Sequence, residues 1–213
     1  MERLICLAIG YLFGLFQTGY FYGKLNHIDI RNHGSGNAGT TNALRTLGWK
    51  AGIITFVGDC LKCVFAVFLV RQMFAANDNV QLLAFYAGLG AVLGHNFPFY
   101  LQFKGGKGIA ATVGLMLSIY PKIFFVVIVI FLVLFLLTQY VSLSSLVIMI
   151  VFFVQIVYYG QTGVFQLTGM ELYEFYGLAA VFVILAFIRH RANIKRLLNG
   201  TENKINVWKI GKK

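Results

Sequence analysis

Gly108-Ile-Ala-Ala-Thr-Val-Gly-Leu-Met-Leu-Ser-Ile-Tyr120-Pro121-Lys122-Ile-Phe-Phe-Val-Val-Ile-Val-Ile-Phe-Leu-Val-Leu-Phe-Leu-Leu137 decides the fold of this 213-residue chain. The stretch is apolar almost throughout and long enough to cross a bilayer. It is either one long helix or two helices in a hairpin at Pro121-Lys122. The choice matters because one extra crossing moves every later residue to the other side of the membrane.

The distribution of basic residues makes the choice. The apolar segments are Leu4–Tyr22, Ala51–Val70, Leu82–Gly94, Gly108–Tyr120, Ile123–Leu137, Leu143–Tyr159 and Tyr176–Ile188. Take all seven as spans, with the N-terminus outside. The inner side then carries Lys24, Arg31, Arg45, Lys50, Lys104, Lys107, Arg189, Arg191, Lys195, Arg196, Lys204, Lys209, Lys212 and Lys213, which is 14 of the 18 basic residues. The outer side carries only Arg3, Arg71 and Lys122, and Lys62 lies within a span. Merging the fourth and fifth segments sends the basic residues after Ile188 outside, leaving 6 inside against 10 outside. The expected fold is therefore all-α: a polytopic bundle of seven transmembrane helices, N-terminus outside and C-terminus cytoplasmic.

Composition agrees. The chain is 59% hydrophobic and 12% charged, with a mean hydropathy of +0.76. Soluble domains run near half apolar and a quarter charged, so a soluble domain, a disordered tail and a disulfide scaffold are all excluded. The net charge of +11 points to anionic lipid or an anionic substrate. Cys6, Cys60 and Cys63 lie in apolar runs, and Cys60-Leu-Lys-Cys63 reads as helical spacing rather than a redox or metal motif. The N-terminus resembles a signal peptide but has no Ala-x-Ala cleavage site, so it is expected to be a retained first span.

Seven spans put four polar segments on the cytoplasmic face, 24–50, 95–107, 138–142 and 189–213, as parts of one domain over 1–213. No inverted repeat of the transporter kind is visible. In the first segment, Gly34-Ser-Gly36-Asn-Ala-Gly39 matches G-x-G-x-x-G, but no βαβ unit surrounds it. Glycines and a helix start still allow backbone N–H groups to approach an anion, and Thr41 and Arg45 fall one turn apart. The second, Gly94-His95-Asn96-Phe-Pro98-Phe-Tyr-Leu-Gln-Phe103-Lys104-Gly105-Gly106-Lys107-Gly108, is not a Walker loop, because Gly108 stands where Ser or Thr is needed. Its lysines and glycines nonetheless describe an anion nest. In the fourth, His190 and Asn193 share a helical face, within a basic stretch that acidic lipid would also attract. Asp59 and Lys62, three residues apart in a span, are expected to face the bundle interior as a pair; a structural pair and support of a site both stay open.

Taken together, Ser35-Gly-Asn37-Ala-Gly-Thr-Thr-Asn42-Ala-Leu-Arg45, Gly94-His95 with Phe103-Lys-Gly-Gly-Lys-Gly108, and Arg189-His-Arg-Ala-Asn-Ile-Lys-Arg196 with Gly200 and Glu202 resemble the acyl-phosphate-dependent glycerol-3-phosphate acyltransferases of bacteria, the PlsY family. Tyr140-Val-Ser142-Leu and Asp59-Cys-Leu-Lys62 resemble family positions as well. Gln139, Thr40 and the long stretch Gly160–Phe175 depart from the pattern.

The resemblance implies an enzyme of the cytoplasmic membrane that transfers a fatty acyl group from acyl phosphate to the 1-hydroxyl of glycerol 3-phosphate, giving lysophosphatidic acid and phosphate. It implies membrane lipid and these two substrates as partners, with no nucleic acid, cofactor or metal. On this reading Ser35, Asn37, His190 and Asn193 are catalytic, with His190 the base candidate and a substrate phosphate the alternative. Thr41, Asn42, Arg45, Lys104, Ser142 and Arg196 hold the phosphate of glycerol 3-phosphate. His95, Gly105, Gly106, Lys107 and Gly108 hold the acyl phosphate. An acyl phosphate is already activated, which fits the lack of any Ser-His-Asp arrangement or reactive Cys in the sequence. The competing readings are a transporter or flippase for a phosphorylated lipid or metabolite, and a structural module holding acidic lipid.

Overall fold

The computed structural model describes residues 1–205; Lys209, Lys212 and Lys213, which belong to the expected inner-face charge, lie outside the described residues. Among the described residues the chain is all-helical. The α-helices are α1 (Glu2–Gly14), α2 (Thr18–Leu25), α3 (Thr40–Leu47), α4 (Trp49–Met73), α5 (Val80–Asn96), α6 (Ile109–Ile119), α7 (Pro121–Thr138), α8 (Val141–Gln161), α9 (Gly169–Arg189) and α10 (Arg191–Leu198).

Among the described residues, six stretches are long and apolar enough to cross a membrane: α1 with α2, α4, α5 with the turn after it, α7, α8 and α9. The seventh expected span is α6, only 11 residues long. At 1.5 Å per residue it reaches about half of a ~30 Å hydrocarbon layer. The expected break is present. Tyr120 is extended (φ −157°) and Pro121 opens α7, where its missing N–H costs no helical bond.

The first span is not the continuous helix Leu4–Tyr22 that the apolar pattern predicts. It breaks at Leu15–Gln17. Gln17 cannot face lipid without partners, so the backbone turns it fully inward. There its Nε2 donates to the carbonyls of Gly14 (3.1 Å), Gly94 (3.3 Å) and His95 (3.1 Å). The carbonyls released by the break are met from outside the helix. Tyr100 Oη donates to Leu15 O (2.6 Å) and Lys62 Nζ to Phe16 O (2.7 Å).

Close backbone contact then sets where this break sits. α1 packs on α5 through Gly10 and Gly14 against Ala87 and Ala91, and through Gly90 and Gly94 against Leu7 and Tyr11. A Cβ at any of the four glycines would collide with a facing main-chain atom. Small residues four apart on both helices are the usual means of bringing membrane helices together. α4 and α6 meet similarly, where Gly114 lies against the Cys60 carbonyl. The core between α5, α8 and α9 is aromatic, with Phe85 against Phe175 (centroids 4.1 Å) and beside Phe152 and Phe182. The cysteines are free, and Cys60 Sγ donates to Ala110 O (3.0 Å), as its apolar setting predicts.

Candidate active site

A cavity of about 330 Å³ opens where the polar segments meet. It takes residues from all four: Ser35 to Arg45, His95 with Lys107 and Gly108, Ser142, and His190 with Asn193 and Glu202. Its far wall is apolar, built from Phe56 of α4, Val113 of α6, Phe131 and Leu132 of α7, and Ile148 of α8.

The first loop is tied down by Asn42. Its Oδ1 accepts from the Ser35 N–H (2.8 Å), and its Nδ2 donates to Ile30 O (2.7 Å) and His33 O (3.0 Å). Asn42, expected to hold a phosphate, lines the cavity, but both of its amide hydrogens are engaged in shaping the loop. Gly34 and Gly36, at φ +57° and +70°, supply the left-handed turns this path requires. Asn37 Oδ1 accepts from the Gly39 N–H (3.0 Å), leaving its NH₂ group free. The N-terminus of α3 follows at Thr40, with no side chain capping it. Unpaired N–H groups and the helix dipole there favour an anion. Thr40 Oγ1 is buried without a protein partner. Arg45 lies one turn further along and donates to Asn203 O (3.1 Å).

The second loop departs from expectation. The Gly105 N–H donates to Asn96 O (3.2 Å) and the Gly106 N–H to His95 O (3.0 Å), so these amides face the end of α5 and cannot cradle a phosphate. Arg189 clamps the other side of the same peptides, with Nη2 on Gly105 O (2.9 Å) and Gly106 O (2.8 Å). The two glycines are needed for space, since a Cβ on Gly106 would strike the His95 ring. Gly106→Ala is therefore expected to lower turnover about 100-fold by displacing His95, a loss typical of a 1 Å misplacement. Steady-state kinetics on folded protein check this, and near-normal turnover would refute it. Lys104 is exposed and is not among the residues that line the cavity. Lys107 lies inside, with Nζ on Asn193 Oδ1 (2.6 Å). Burial pulls its ammonium down to about 8, so the charged form still predominates at neutral pH.

The fourth segment is organised by a residue that sequence reasoning left out of the site. Glu202 Oε1 accepts from Ser142 Oγ (2.9 Å) and Asn193 Nδ2 (2.7 Å), and Oε2 accepts from Arg196 Nε (2.7 Å). Burial pushes its carboxyl upward, but those three donors outweigh it and leave it below the ordinary range. Arg196 is not among the residues that line the cavity and pairs with Glu202 at its edge. Asn193 is oriented from both ends, by Lys107 and by Glu202.

His190 Nδ1 lies 2.8 Å from Ala186 O, so that nitrogen carries the proton and Nε2 is a bare acceptor. Burial, followed by the Lys107 charge, lowers this imidazole to about 4. Asp59, left open between a structural pair and support of a site, also lines the cavity, as does Thr40, which was not among the expected site residues.

A cavity with cations and free donors at one end and an apolar wall at the other suits an amphiphile with an anionic head. The comparisons agree. The glycerol-3-phosphate acyltransferase family model matches residues 4–200. A glycerol-3-phosphate acyltransferase of Alkaliphilus metalliredigens is 41% identical over 206 residues, covering 96% of this chain and 97% of that one. That of Bacillus subtilis is 39% identical, covering 94% and 96%. Two crystal structures of PlsY, an integral membrane glycerol 3-phosphate acyltransferase, superpose on it. The glycerol 3-phosphate form gives a TM-score of 0.83 at 32% identity, with 98% of both chains covered. The lysophosphatidic acid form gives 0.81 at 31%, covering 98% and 97%. With its motifs in order, its helices in the same arrangement and its length matched almost end to end, the chain belongs to the glycerol-3-phosphate acyltransferase family and is a membrane-embedded acyltransferase.

Proposed function

We propose that the protein transfers a fatty acyl group from acyl phosphate to the 1-hydroxyl of glycerol 3-phosphate. The hydroxyl oxygen bonds to the acyl carbon, the mixed-anhydride C–O bond breaks, and phosphate leaves. The hydroxyl proton passes to His190 Nε2 or to a phosphate oxygen. The observation that carries this reading is the two-ended cavity, with Arg45, Lys107 and the start of α3 opposite the wall of Phe56, Val113, Phe131 and Ile148. One end suits two phosphates and the other an acyl chain.

Ser35, Thr41 and Arg45 hold the phosphate of glycerol 3-phosphate, with the Ser142 hydroxyl beside them. Lys107 and His95 hold the acyl phosphate. The free NH₂ of Asn37 faces the developing oxyanion. Asn193 keeps Lys107 and Glu202 in register rather than touching the reacting atoms. No covalent intermediate is needed, so positioning supplies most of the rate.

The site belongs to one domain and faces the cytoplasm of a bacterial cell. Gly108 at the start of α6 and Ser142 just beyond α7 line the same cavity, which supports α6 and α7 as an out-and-back pair despite the shortness of α6. Two helices also lie between the first and second segments and between the third and fourth, which supports an N-terminus on the opposite face. The transporter reading finds little support, because the Lys62 ammonium is spent on Phe16 O, Asp59 and His95 and has no donor left for a passing ligand.

Purified protein given acyl phosphate and glycerol 3-phosphate is expected to release phosphate only when the acceptor is present. Acceptor-independent release, or none, overturns the reading.

A further inference from the structure

Beneath the cavity, Lys62 makes three short polar contacts. Its Nζ lies 2.7 Å from Phe16 O, 2.9 Å from Asp59 Oδ1 and 2.8 Å from His95 Nδ1. Asp59 Oδ1 also accepts from Thr18 Oγ1 (3.1 Å). Asp59, Lys62 and His95 are all buried. An ammonium has three N–H donors and no lone pair, so three acceptors use it completely. Its partner Nδ1 must then be the bare nitrogen of the imidazole. Asp59 does not compete for a proton on Nδ1, because its Oδ1 is 3.6 Å away, beyond hydrogen-bond reach.

We infer that Lys62 is a positioning residue that locks His95 as the Nε2–H tautomer, so that His95 presents an N–H donor to the phosphoryl oxygen of the acyl donor. Three observations place that donor. His95 lines the cavity. Its Nε2 lies against Gly106, one residue before Lys107, where only a glycine leaves room. No protein group among the described residues is hydrogen-bonded to Nε2. The break in the first span belongs to the same device, because only an unwound backbone exposes Phe16 O to Lys62. The cavity then holds two histidines of opposite tautomer. His190 carries its proton on Nδ1 and offers a bare Nε2 to the attacking hydroxyl; His95 carries its proton on Nε2 and offers it to the donor. One nitrogen accepts where a proton leaves, and the other donates where negative charge departs.

The lock itself is independent of the reaction, whereas the role of the donor rests on the function proposed above, and two measurements separate them. The first is ¹⁵N NMR of histidine-labelled protein in nanodiscs, with the four histidines assigned by single His→Gln variants. His95 is expected with a protonated Nε2 and a bare Nδ1, and His190 with the reverse. A protonated Nδ1 on His95, or an imidazolium, overturns the lock whatever the protein catalyses.

The second measurement is kinetic. Lys62→Met alone strands the Asp59 carboxylate and can fail to fold, so the neutralised pair Asp59→Asn/Lys62→Met is used. Losing an oriented donor to an anionic oxygen is expected to lower kcat/KM for the acyl donor about 10- to 100-fold, with KM for glycerol 3-phosphate little changed. In a His95→Gln background, glutamine supplies an amide N–H₂ near the Nε2 position without help from Lys62. The same pair of substitutions should there cost less than about twofold. An equal loss in both backgrounds overturns the donor role and makes the pair structural.

Discussion

Glu202→Gln is expected to lower turnover about 100-fold, the loss that accompanies a displacement of reacting groups by about 1 Å. The carboxylate receives three donors, from Ser142, Asn193 and Arg196, and has no hydrogen of its own to place. A carboxamide can satisfy Ser142 and Asn193 with its oxygen, but its NH₂ then points at Arg196 Nε, donor against donor. Turned over, its NH₂ faces the Asn193 Nδ2 donor, and the Ser142 hydroxyl must rotate to accept from it. In the first case the clash with Arg196 pushes the side chain off its place; in the second Asn193 is released from one end, and its grip on Lys107 at 2.6 Å goes with it. The negative charge that offsets Lys107, Arg45 and Arg196 also disappears. A buried donor left without a partner costs about 1–3 kcal/mol, so thermal stability should fall too. Parallel measurement of kcat and Tm checks both effects. Wild-type turnover in a folded Glu202→Gln protein would show that the hub does not position the site.

The role of Glu202 shows where local sequence patterns stop. Its acceptor oxygen joins Ser142, 60 residues earlier, and such a pairing leaves no periodic trace. The one available signal was chemical: a lone carboxylate in a strongly basic segment. The helices were legible because apolar runs are local, and so was the break at Pro121. The pairing of Asp59 with Lys62 was legible because a charge at mid-bilayer has few alternatives. The break at Leu15–Gln17 was not, since a single Gln in an apolar run is tolerated by hydropathy and its acceptors lie on α5. The gathering of Ser35, Arg45, Lys107, Ser142 and His190 in one cavity follows what the motif order implies. The tasks of Gly105, Gly106 and Asn42 do not. A glycine-rich run advertises backbone freedom but does not say whether its N–H groups face a ligand or a neighbouring helix end, and here α5 takes them.

His190→Ala is expected to lower kcat about 100-fold, near the bottom of the 10²–10⁴ range for a general base. The geometry argues for the role and the electrostatics for its modest size. Nδ1–H on Ala186 O fixes the ring and leaves Nε2 as the acceptor. Burial and the Lys107 charge hold the imidazole near 4, so at pH 7 it is neutral and always competent to accept, but weakly basic. A weak base suffices because the acyl phosphate is already activated and its leaving group needs no protonation. The sign of the pH effect follows. The acceptor is lost only as pH falls through about 4, whereas the unfolded chain takes up that proton near its ordinary 6.5. Stability from this group therefore declines as pH falls from about 6.5 to 4, while the base form in the folded enzyme persists. A substrate phosphate acting as the base would titrate near 6 instead. The pH profile of kcat separates the two. An acid limb near 4 to 5 that His190→Ala abolishes along with the rate assigns the proton to His190. A limb near 6 shared by both proteins, with turnover nearly unchanged in His190→Ala, assigns it to the phosphate and leaves His190 as a positioning group. His190→Gln, which can turn its carbonyl oxygen toward the Nε2 position, should recover part of the lost rate, and His190→Asn, one bond shorter, should not.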